Sequence, residues 1–144
     1  MDIREYFKDG FVISTDPNKL QPEEVFAFLS RSYWAKNRSR ERVVLCLQKS
    51  LCFGLYKGGR QIGLARVVTD SSTFAYLGDV YVLEEYQHRG LGKWLVSVVM
   101  AHPDLQGLRV WCLLTRDAHE LYKQFGFTEL KFPARWMEKL DPSK

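Results

Sequence analysis

The amino-acid sequence predicts an α/β (α+β) fold, in which helices cover both faces of a mixed, mostly antiparallel β-sheet. Its 144 residues have the length of one domain, and we assign residues 1–144 to it. Hydrophobic residues make up 46% of the chain and charged residues 26%, which is sufficient apolar material for a core. Segments rich in β-branched and aromatic residues alternate with segments whose apolar residues recur at helical spacing.

The N-terminal third is predicted to contain a strand, a helix and one ambiguous segment. Phe11 to Ser14 is strand-like, and Asp16-Pro17-Asn18 ends it. Pro22 suits the first turn of a helix, where its missing N–H would have no partner in any case. The apolar run from Val43 to Leu47 fits both a helix and a buried strand.

The later elements follow from turn residues and apolar runs. Residues 51–56 and 61–69 flank Lys57-Gly58-Gly59-Arg60 and therefore predict a β-hairpin. Further strands are predicted at 74–82 and 109–114, and segments 127–130 and 136–139 are predicted to close the sheet. Helices are predicted at 93–101 and 118–124, because Pro103 and Phe125-Gly126 end two helical patterns.

A loop with two glycines joins the strand at 74–82 to the next helix: Gln87-His88-Arg89-Gly90-Leu91-Gly92. Glycine lets backbone N–H groups come close to a ligand, since it has no Cβ. The helix start carries unpaired N–H groups and partial positive charge, to which Arg89 and Lys93 add full charges. A phosphorylated ligand is indicated. The loop is not a P-loop, because Gln87 and Trp94 occupy the positions of its first Gly and its Ser or Thr.

Two ordered motifs resemble those of the GCN5-related N-acetyltransferases (GNAT). Val82 ends a strand and is followed by Gln87-x-x-Gly90-x-Gly92, which is similar to the family's acetyl-CoA loop, Gln/Arg-x-x-Gly-x-Gly/Ala. Downstream, Ala118-x-x-Leu121-Tyr122-x-x-x-Gly126-Phe127 resembles the family's next motif, Asn-x-x-Ala-x-x-Leu-Tyr-x-x-x-Gly-Phe, with Thr115 in place of Asn. Both motifs lie in the C-terminal half.

The resemblance implies transfer of an acetyl group from the co-substrate acetyl-CoA directly to a primary amine of a small molecule or peptide. It implies a GNAT-like fold in which the strands at 74–82 and 109–114 run parallel and splay into a V-shaped cleft, and in which residues 42–49 form a helix. The amides of Val80, Tyr81 and Val82 would bind the pantetheine arm and polarise the acetyl carbonyl. The pyrophosphate would be bound by Gln87, His88, Arg89, Gly90, Leu91, Gly92 and Lys93.

The same resemblance assigns candidate catalytic side chains. Tyr122 matches the family's general acid, whose phenol would donate to the coenzyme sulfur. Asp79 lies where some polyamine acetyltransferases have an acidic pair, so it would bind an ammonium or act through water as a base; capping of a strand bulge is an equal alternative. Asp79 with nearby aromatic residues thus predicts a cationic or aromatic acceptor. Tyr76 replaces the Glu of histone-modifying members, and the Thr115 hydroxyl would contact the coenzyme arm or the backbone.

Charge and composition argue against several other functions. The net charge of +4 is modest, and the basic cluster at 31–42 is interpreted as a solvated loop rather than a nucleic-acid site. Tyr33 and Trp34 in that loop are expected to pack inward or to line the acceptor site.

No metal is expected, because the histidines and cysteines lack ligand spacing. The cysteines, Cys46, Cys52 and Cys112, are expected to be buried thiols in a reducing cytoplasm. The chain shows neither a signal-peptide pattern nor an apolar run that could span a membrane. A homodimer remains open. The alternative function is an acyl-CoA-binding module with little catalysis, because a definite general base is missing.

Overall fold

The computed structural model describes residues 2–144, which form one six-stranded sheet and four α-helices. The strands are Glu5–Lys8 (β1), Phe11–Ser14 (β2), Leu51–Lys57 (β3), Arg60–Thr69 (β4), Phe74–Val82 (β5) and Val110–Leu113 (β6). The α-helices are Pro22–Leu29 (α1), Arg40–Lys49 (α2), Leu91–Met100 (α3) and His119–Lys123 (α4).

The strands lie in the sheet in chain order, from β1 at one edge to β6 at the other. Neighbours from β1 to β5 are antiparallel, whereas β6 runs parallel to β5 after the crossover through α3. Gly58 and Gly59 form the β3–β4 turn with φ of 56° and 82°, which glycine adopts without steric penalty. The predicted mixed, mostly antiparallel sheet is confirmed.

Helices cover both faces of the sheet, also as predicted. Consecutive residues are buried in β3 and in β4, so both faces of these central strands are covered. On α3, Leu95, Val96 and Val99 are completely buried. The start of α1 is joined to β4 by a reciprocal pair of 2.8 Å hydrogen bonds, in which the backbone N–H of Gln21 and that of Gln61 each donate to the other's side-chain oxygen.

The structure resolves the ambiguous segment and adds one strand. Residues 42–49 lie in α2. Ser39 caps the start of this helix, where its hydroxyl accepts a hydrogen bond from the Arg42 N–H at 3.2 Å. The strand β1 was missed, although Asp9 and Gly10 carry the signal for it. They form the β1–β2 turn with φ of 52° and 82°, and Asp-Gly is a preferred pair for such turns.

The prediction that 127–130 and 136–139 close the sheet is wrong. Phe127 packs its ring edge-on against Trp111 and Tyr122, with centroids 6.3 and 5.9 Å apart, instead of continuing as a strand along β6. Residues 128–140 are exposed, and Pro133–Arg135 form a short 3-10 turn. Apolar content alone indicated strands here, but this segment has no covering layer to bury its apolar side chains against.

The face of α3 against the sheet provides a test of the core. We expect Leu95→Ala to lower the free energy of unfolding by roughly 2–5 kcal/mol, because it removes buried methyl groups and leaves a cavity. Lys93→Ala, an exposed change on the same helix, is the control and should stay within about 0.5 kcal/mol of the wild type. Urea unfolding measures both, and equal effects would contradict the described packing.

Candidate active site

The candidate site begins where β5 and β6 separate. They pair from Phe74 opposite Val110 to Leu77 opposite Leu113, and no pair follows in the described chain although β5 continues to Val82. At the point of separation, β5 has a bulge. Asp79 and Val80 together lie between the pairs that flank Ala65 of β4, and Asp79 has φ of 50°. The V-shaped opening that the resemblance implied is therefore present.

Beyond the bulge, one edge of β5 faces the opening. The N–H of Leu83 donates to the Ile62 carbonyl at 2.8 Å, on the β4 side. Because successive N–H groups of a strand point to opposite edges, those of Val82 and Val80 point into the opening. The Val82 carbonyl accepts from the Gln87 side-chain amide at 2.9 Å. Tyr81 is turned to β4, and its ring stacks on Phe28 with centroids 4.0 Å apart.

The glycine loop offers free backbone donors at the start of α3. Within residues 2–144, the amides from His88 to Lys93 donate to no protein acceptor. His88 and Gly90 have φ of 65° and 78°, so the chain turns sharply here. A Cβ built on Gly90 or Gly92 would have no atom of a more distant residue within 4 Å, so the space beside the Cα of each glycine is open. The loop can therefore bind an anion through its N–H groups.

Tyr122 lies on α4 and is buried, with 8% of the residue exposed. Its hydroxyl takes part in none of the side-chain hydrogen bonds among residues 2–144, and its ring packs edge-on against Phe127 with centroids 5.9 Å apart. Burial, with a smaller contribution from Tyr33, raises the pKa of Tyr122 to about 12. The phenol is protonated at neutral pH, as an ordinary phenol is, and the raised pKa makes it a weaker acid that can still donate a hydrogen bond to a developing anion.

The hydroxyl of Thr115 forms a hydrogen bond with the protein backbone. It accepts this hydrogen bond from the Ala118 N–H at 3.0 Å and so supports the start of α4. Thr115, His119 and Tyr122 line a cavity of ≈ 510 Å³ beside β6. The glycine loop is not part of that cavity. Thr115 and Tyr122 therefore lie on the β6 side of the opening, whereas the glycine loop follows β5 and leads into α3.

Asp79 is buried in a network of donors at the bulge. Its Oδ1 accepts from Trp34 Nε1 at 2.8 Å, and its Oδ2 accepts from Arg38 at 2.6 Å and from Arg66 Nε at 2.7 Å. Burial by itself would raise the pKa of this carboxyl, but Arg38 and Arg66 outweigh it and hold the pKa below its ordinary value. Two guanidinium groups therefore balance the negative charge of Asp79.

The segment between α1 and α2, residues 30–39, spans the opening from one side to the other. Trp34 and Arg38 bind Asp79 on β5. On the other side, the Tyr33 hydroxyl accepts from the Arg116 N–H at 3.0 Å, and the Arg116 guanidinium lies 3.8 Å from the Tyr33 ring centroid. The expectation of inward packing is wrong for these aromatics: Tyr33 is 45% exposed and Trp34 40%.

The cysteines differ in environment. Cys52 is buried, and burial raises its pKa to about 12. Cys46 and Cys112 are only half-buried, contrary to expectation, and burial also raises the pKa of Cys112. A thiol of raised pKa is a poor nucleophile at neutral pH.

Among residues 2–144, no group of three histidine, cysteine or acidic side chains is placed to hold a metal ion. In the same part of the chain, no helix has the length and apolar character needed to cross a membrane.

Comparisons with known proteins agree on one family. Residues 48–129 match the model of the acetyltransferase (GNAT) domain. A Gibberella zeae protein with the provisional name of an acetyltransferase is 33% identical over 148 residues, covering 86% of this chain and 82% of its own. A provisionally named GNAT acetyltransferase from Xanthomonas campestris, solved by crystallography, superposes with a TM-score of 0.89 at 47% identity, covering 92% of this chain and 94% of its own.

A more distant structure has the same fold. It is a GNAT family acetyltransferase from Elizabethkingia anophelis with acetyl-CoA bound. Its TM-score is 0.64 at 16% identity, and the match covers 94% of this chain and 92% of that protein.

The Asp79 network makes a pH-dependent prediction. Asp79→Asn keeps the shape and tolerates the positive φ, but it leaves Arg38 and Arg66 without a counter-charge, so we expect a loss of about 3–5 kcal/mol at pH 7. The folded-state pKa lies below the unfolded one, so this stabilisation is present above about pH 4 and is lost as the pH falls through the folded pKa.

Urea unfolding at pH 7 and below pH 4 measures the effect. The gap between wild type and Asp79→Asn should narrow in acid. Asp117→Asn, whose side chain is 67% exposed, is the control and should stay within about 0.5 kcal/mol at both pH values. A gap that is constant with pH would show that the charge of Asp79 does not stabilise the fold.

Proposed function

The chain belongs to the GNAT family of acetyltransferases, and from this premise we propose that it transfers an acetyl group from acetyl-CoA directly to a primary amine of a small molecule or peptide. The observation that carries the proposal is the row of unpaired amides from His88 to Lys93 beside the open edge of β5. These donors suit the pyrophosphate and the pantetheine arm of the coenzyme, respectively.

The coenzyme would extend along β5 as an added strand. The cleft-facing amides of Val80 and Val82 would bind the pantetheine arm. In this arrangement an amide of β5 would also donate to the acetyl oxygen, which becomes an oxyanion in the tetrahedral intermediate. Tyr81 would contribute through its buried ring, which positions β5, rather than through its N–H.

The reaction itself would be a direct displacement. The neutral amine nitrogen attacks the thioester carbon, the C–S bond then breaks, and the sulfur leaves as a thiolate or takes a proton. Tyr122 would supply that proton, because its hydroxyl is protonated at neutral pH and donates to no described residue. The excess proton on the attacking nitrogen would pass to water.

Asp79 would act as a positioning residue in this scheme. Its carboxylate accepts from Trp34, Arg38 and Arg66, and its low pKa makes it a weak proton acceptor. It would therefore hold residues 30–39 against β5, and neither bind an acceptor ammonium nor serve as a base.

The engagement of Asp79 by Trp34, Arg38 and Arg66 supports a second candidate function, an acyl-CoA-binding module with little catalysis. With Asp79 occupied, no carboxylate at the bulge is available as a base. We place the protein in the cytoplasm, since the free cysteines suit a reducing compartment. Association of two copies stays a prediction.

Acetyl-CoA binding tests the glycine loop. We expect Gly90→Asp to weaken binding strongly, because the added side chain would place a carboxylate beside the loop amides and repel the pyrophosphate. Gly107→Asp is the matched control: Gly107 also has a positive φ, 73°, and open space at its Cβ position, but it lies outside the loop. Calorimetric titration should show a loss of affinity for Gly90→Asp alone; equal losses would point to backbone strain.

Turnover tests Tyr122 and separates the two candidate functions. Tyr122→Phe keeps the ring packing and removes the donor, so the affinity for acetyl-CoA should survive while kcat falls roughly 10²–10⁴-fold. Tyr56→Phe is the control, because the Tyr56 hydroxyl is buried without a partner among the described residues. Single-turnover measurements establish whether chemistry limits the rate. An unchanged kcat under that condition would remove Tyr122 from the mechanism.

A further inference from the structure

A basic cavity of ≈ 680 Å³ adjoins the bulge of β5. It is lined by residues 33–39, by Arg42 and Cys46 of α2 and by residues of the segment 139–144. Its basic side chains outnumber the acidic ones, since the lining includes Lys36, Arg38, Arg42, Lys139 and Lys144 against Asp141. The lining also includes Tyr33 and Trp34, the partly exposed aromatics.

The cations in this cavity are largely uncompensated. Within residues 2–144, neither Lys36 nor Arg42 has an acidic oxygen within 4.0 Å. Arg38 contacts Asp79, but that carboxylate is shared with Arg66. Asp141 accepts hydrogen bonds from Ser143 instead of pairing with a cation of the cavity. The region therefore carries net positive charge.

The cavity adjoins the reaction cleft through residues of its wall. Trp34 and Arg38 belong to its wall and contact Asp79, the bulged residue next to the cleft-facing amide of Val80. Tyr33, from the same wall, binds the backbone of Arg116 on the far side of the opening. The cavity therefore lies next to the point where β5 and β6 separate.

We propose that this cavity is the acceptor subsite and that the acceptor is a primary amine that also carries an anionic group, a carboxylate or a phosphate, bound by Arg42 with Lys36 and Arg38. The inference rests on the proposed acetyl transfer and specifies its substrate class. It replaces the cationic acceptor that Asp79 indicated in the sequence and retains the aromatic contact, now supplied by Tyr33 and Trp34.

The physical reasons are charge and geometry. A guanidinium binds a carboxylate or phosphate through two parallel hydrogen bonds, and such charge-assisted bonds are roughly twice as strong as neutral ones. A second ammonium on the acceptor would instead be repelled by the side chains of the cavity. Polyamine-like acceptors should therefore be poor substrates, whereas amino acids or aminoalkyl phosphates should be good ones.

The experiment compares matched acceptors by thiol release at saturating acetyl-CoA. Aromatic amino acids are paired with their amides, and an aminoalkyl phosphate is paired with the corresponding amino alcohol. We expect at least a ten-fold higher kcat/KM for the anionic member of one pair or both. The amine of an amino-acid amide is less basic than that of the amino acid, so more of it is neutral and able to attack. Intrinsic reactivity therefore favours the amide, and a preference for the amino acid would have to come from binding.

Two charge-reversal variants locate the effect. Arg42→Glu should abolish or invert the preference for the anionic member, mainly through KM. Arg40→Glu changes the net charge by the same amount, but Arg40 pairs with Glu23 and does not line the cavity. The Arg40→Glu variant should therefore prefer the anionic acceptor as strongly as the wild type does. Both variants should bind acetyl-CoA as the wild type does, and thermal unfolding confirms that both are folded.

Each contrary result has a distinct meaning. Equal kcat/KM within the pairs, or equal effects of Arg40→Glu and Arg42→Glu, overturns this inference and leaves the transferase in place. Weaker acetyl-CoA binding by Arg42→Glu assigns the cavity to the coenzyme and also overturns it. If no amine of either kind releases thiol although acetyl-CoA binds, both the subsite and the proposed acetyl transfer are wrong.

Discussion

The structure depends on the point where β5 leaves β6. Pairing ends at Leu77 opposite Leu113, and two residues later Asp79 adopts a positive φ within a bulge. A bulge increases the local twist of a strand, so the two strands separate and the edge of β5 is left with free N–H groups. The carboxylate of Asp79 stabilises this irregular point through Trp34, Arg38 and Arg66. The same buried residue therefore stabilises the bulge of β5 and holds residues 30–39 against it.

The two sides of the opening use different kinds of positive potential. At the start of α3, the backbone N–H groups provide the positive potential, and the glycines leave open space beside them. The direction of these N–H groups is fixed by the helix. Near α2, flexible cationic side chains provide the positive potential around a cavity. Backbone donors suit a ligand that every member of a family must bind, such as a pyrophosphate. Side chains can differ between members, so they suit the recognition of a particular acceptor.

Residues 30–39 connect these regions mechanically. Arg31 pairs with Glu84 through two hydrogen bonds of 2.9 Å at the end of β5, and Tyr33 binds Arg116 beyond β6. The segment is thus held at both sides of the opening, while Asp79 holds its middle. Tyr122 on α4 is buried, and burial, with a smaller contribution from Tyr33, raises the pKa of its phenol.

The sequence by itself predicted five of the six strands, the helices α1, α3 and α4, and the glycine loop. These depend on neighbouring residues: strand and helix periodicity, the Gly58-Gly59 turn and the helix start after Gly90 are all encoded within a few positions. The missed strand β1 also had a local signal, Asp9-Gly10. Only the tertiary structure decided the roles of Asp79 and of the segment after Phe127. Arg66 and Arg38 are 13 and 41 residues from Asp79 in the chain, so its neutralisation could not be read from its neighbours. Likewise, whether residues 127–139 form strands depends on a surface to pack against, because burial rather than local preference decides a strand of this kind.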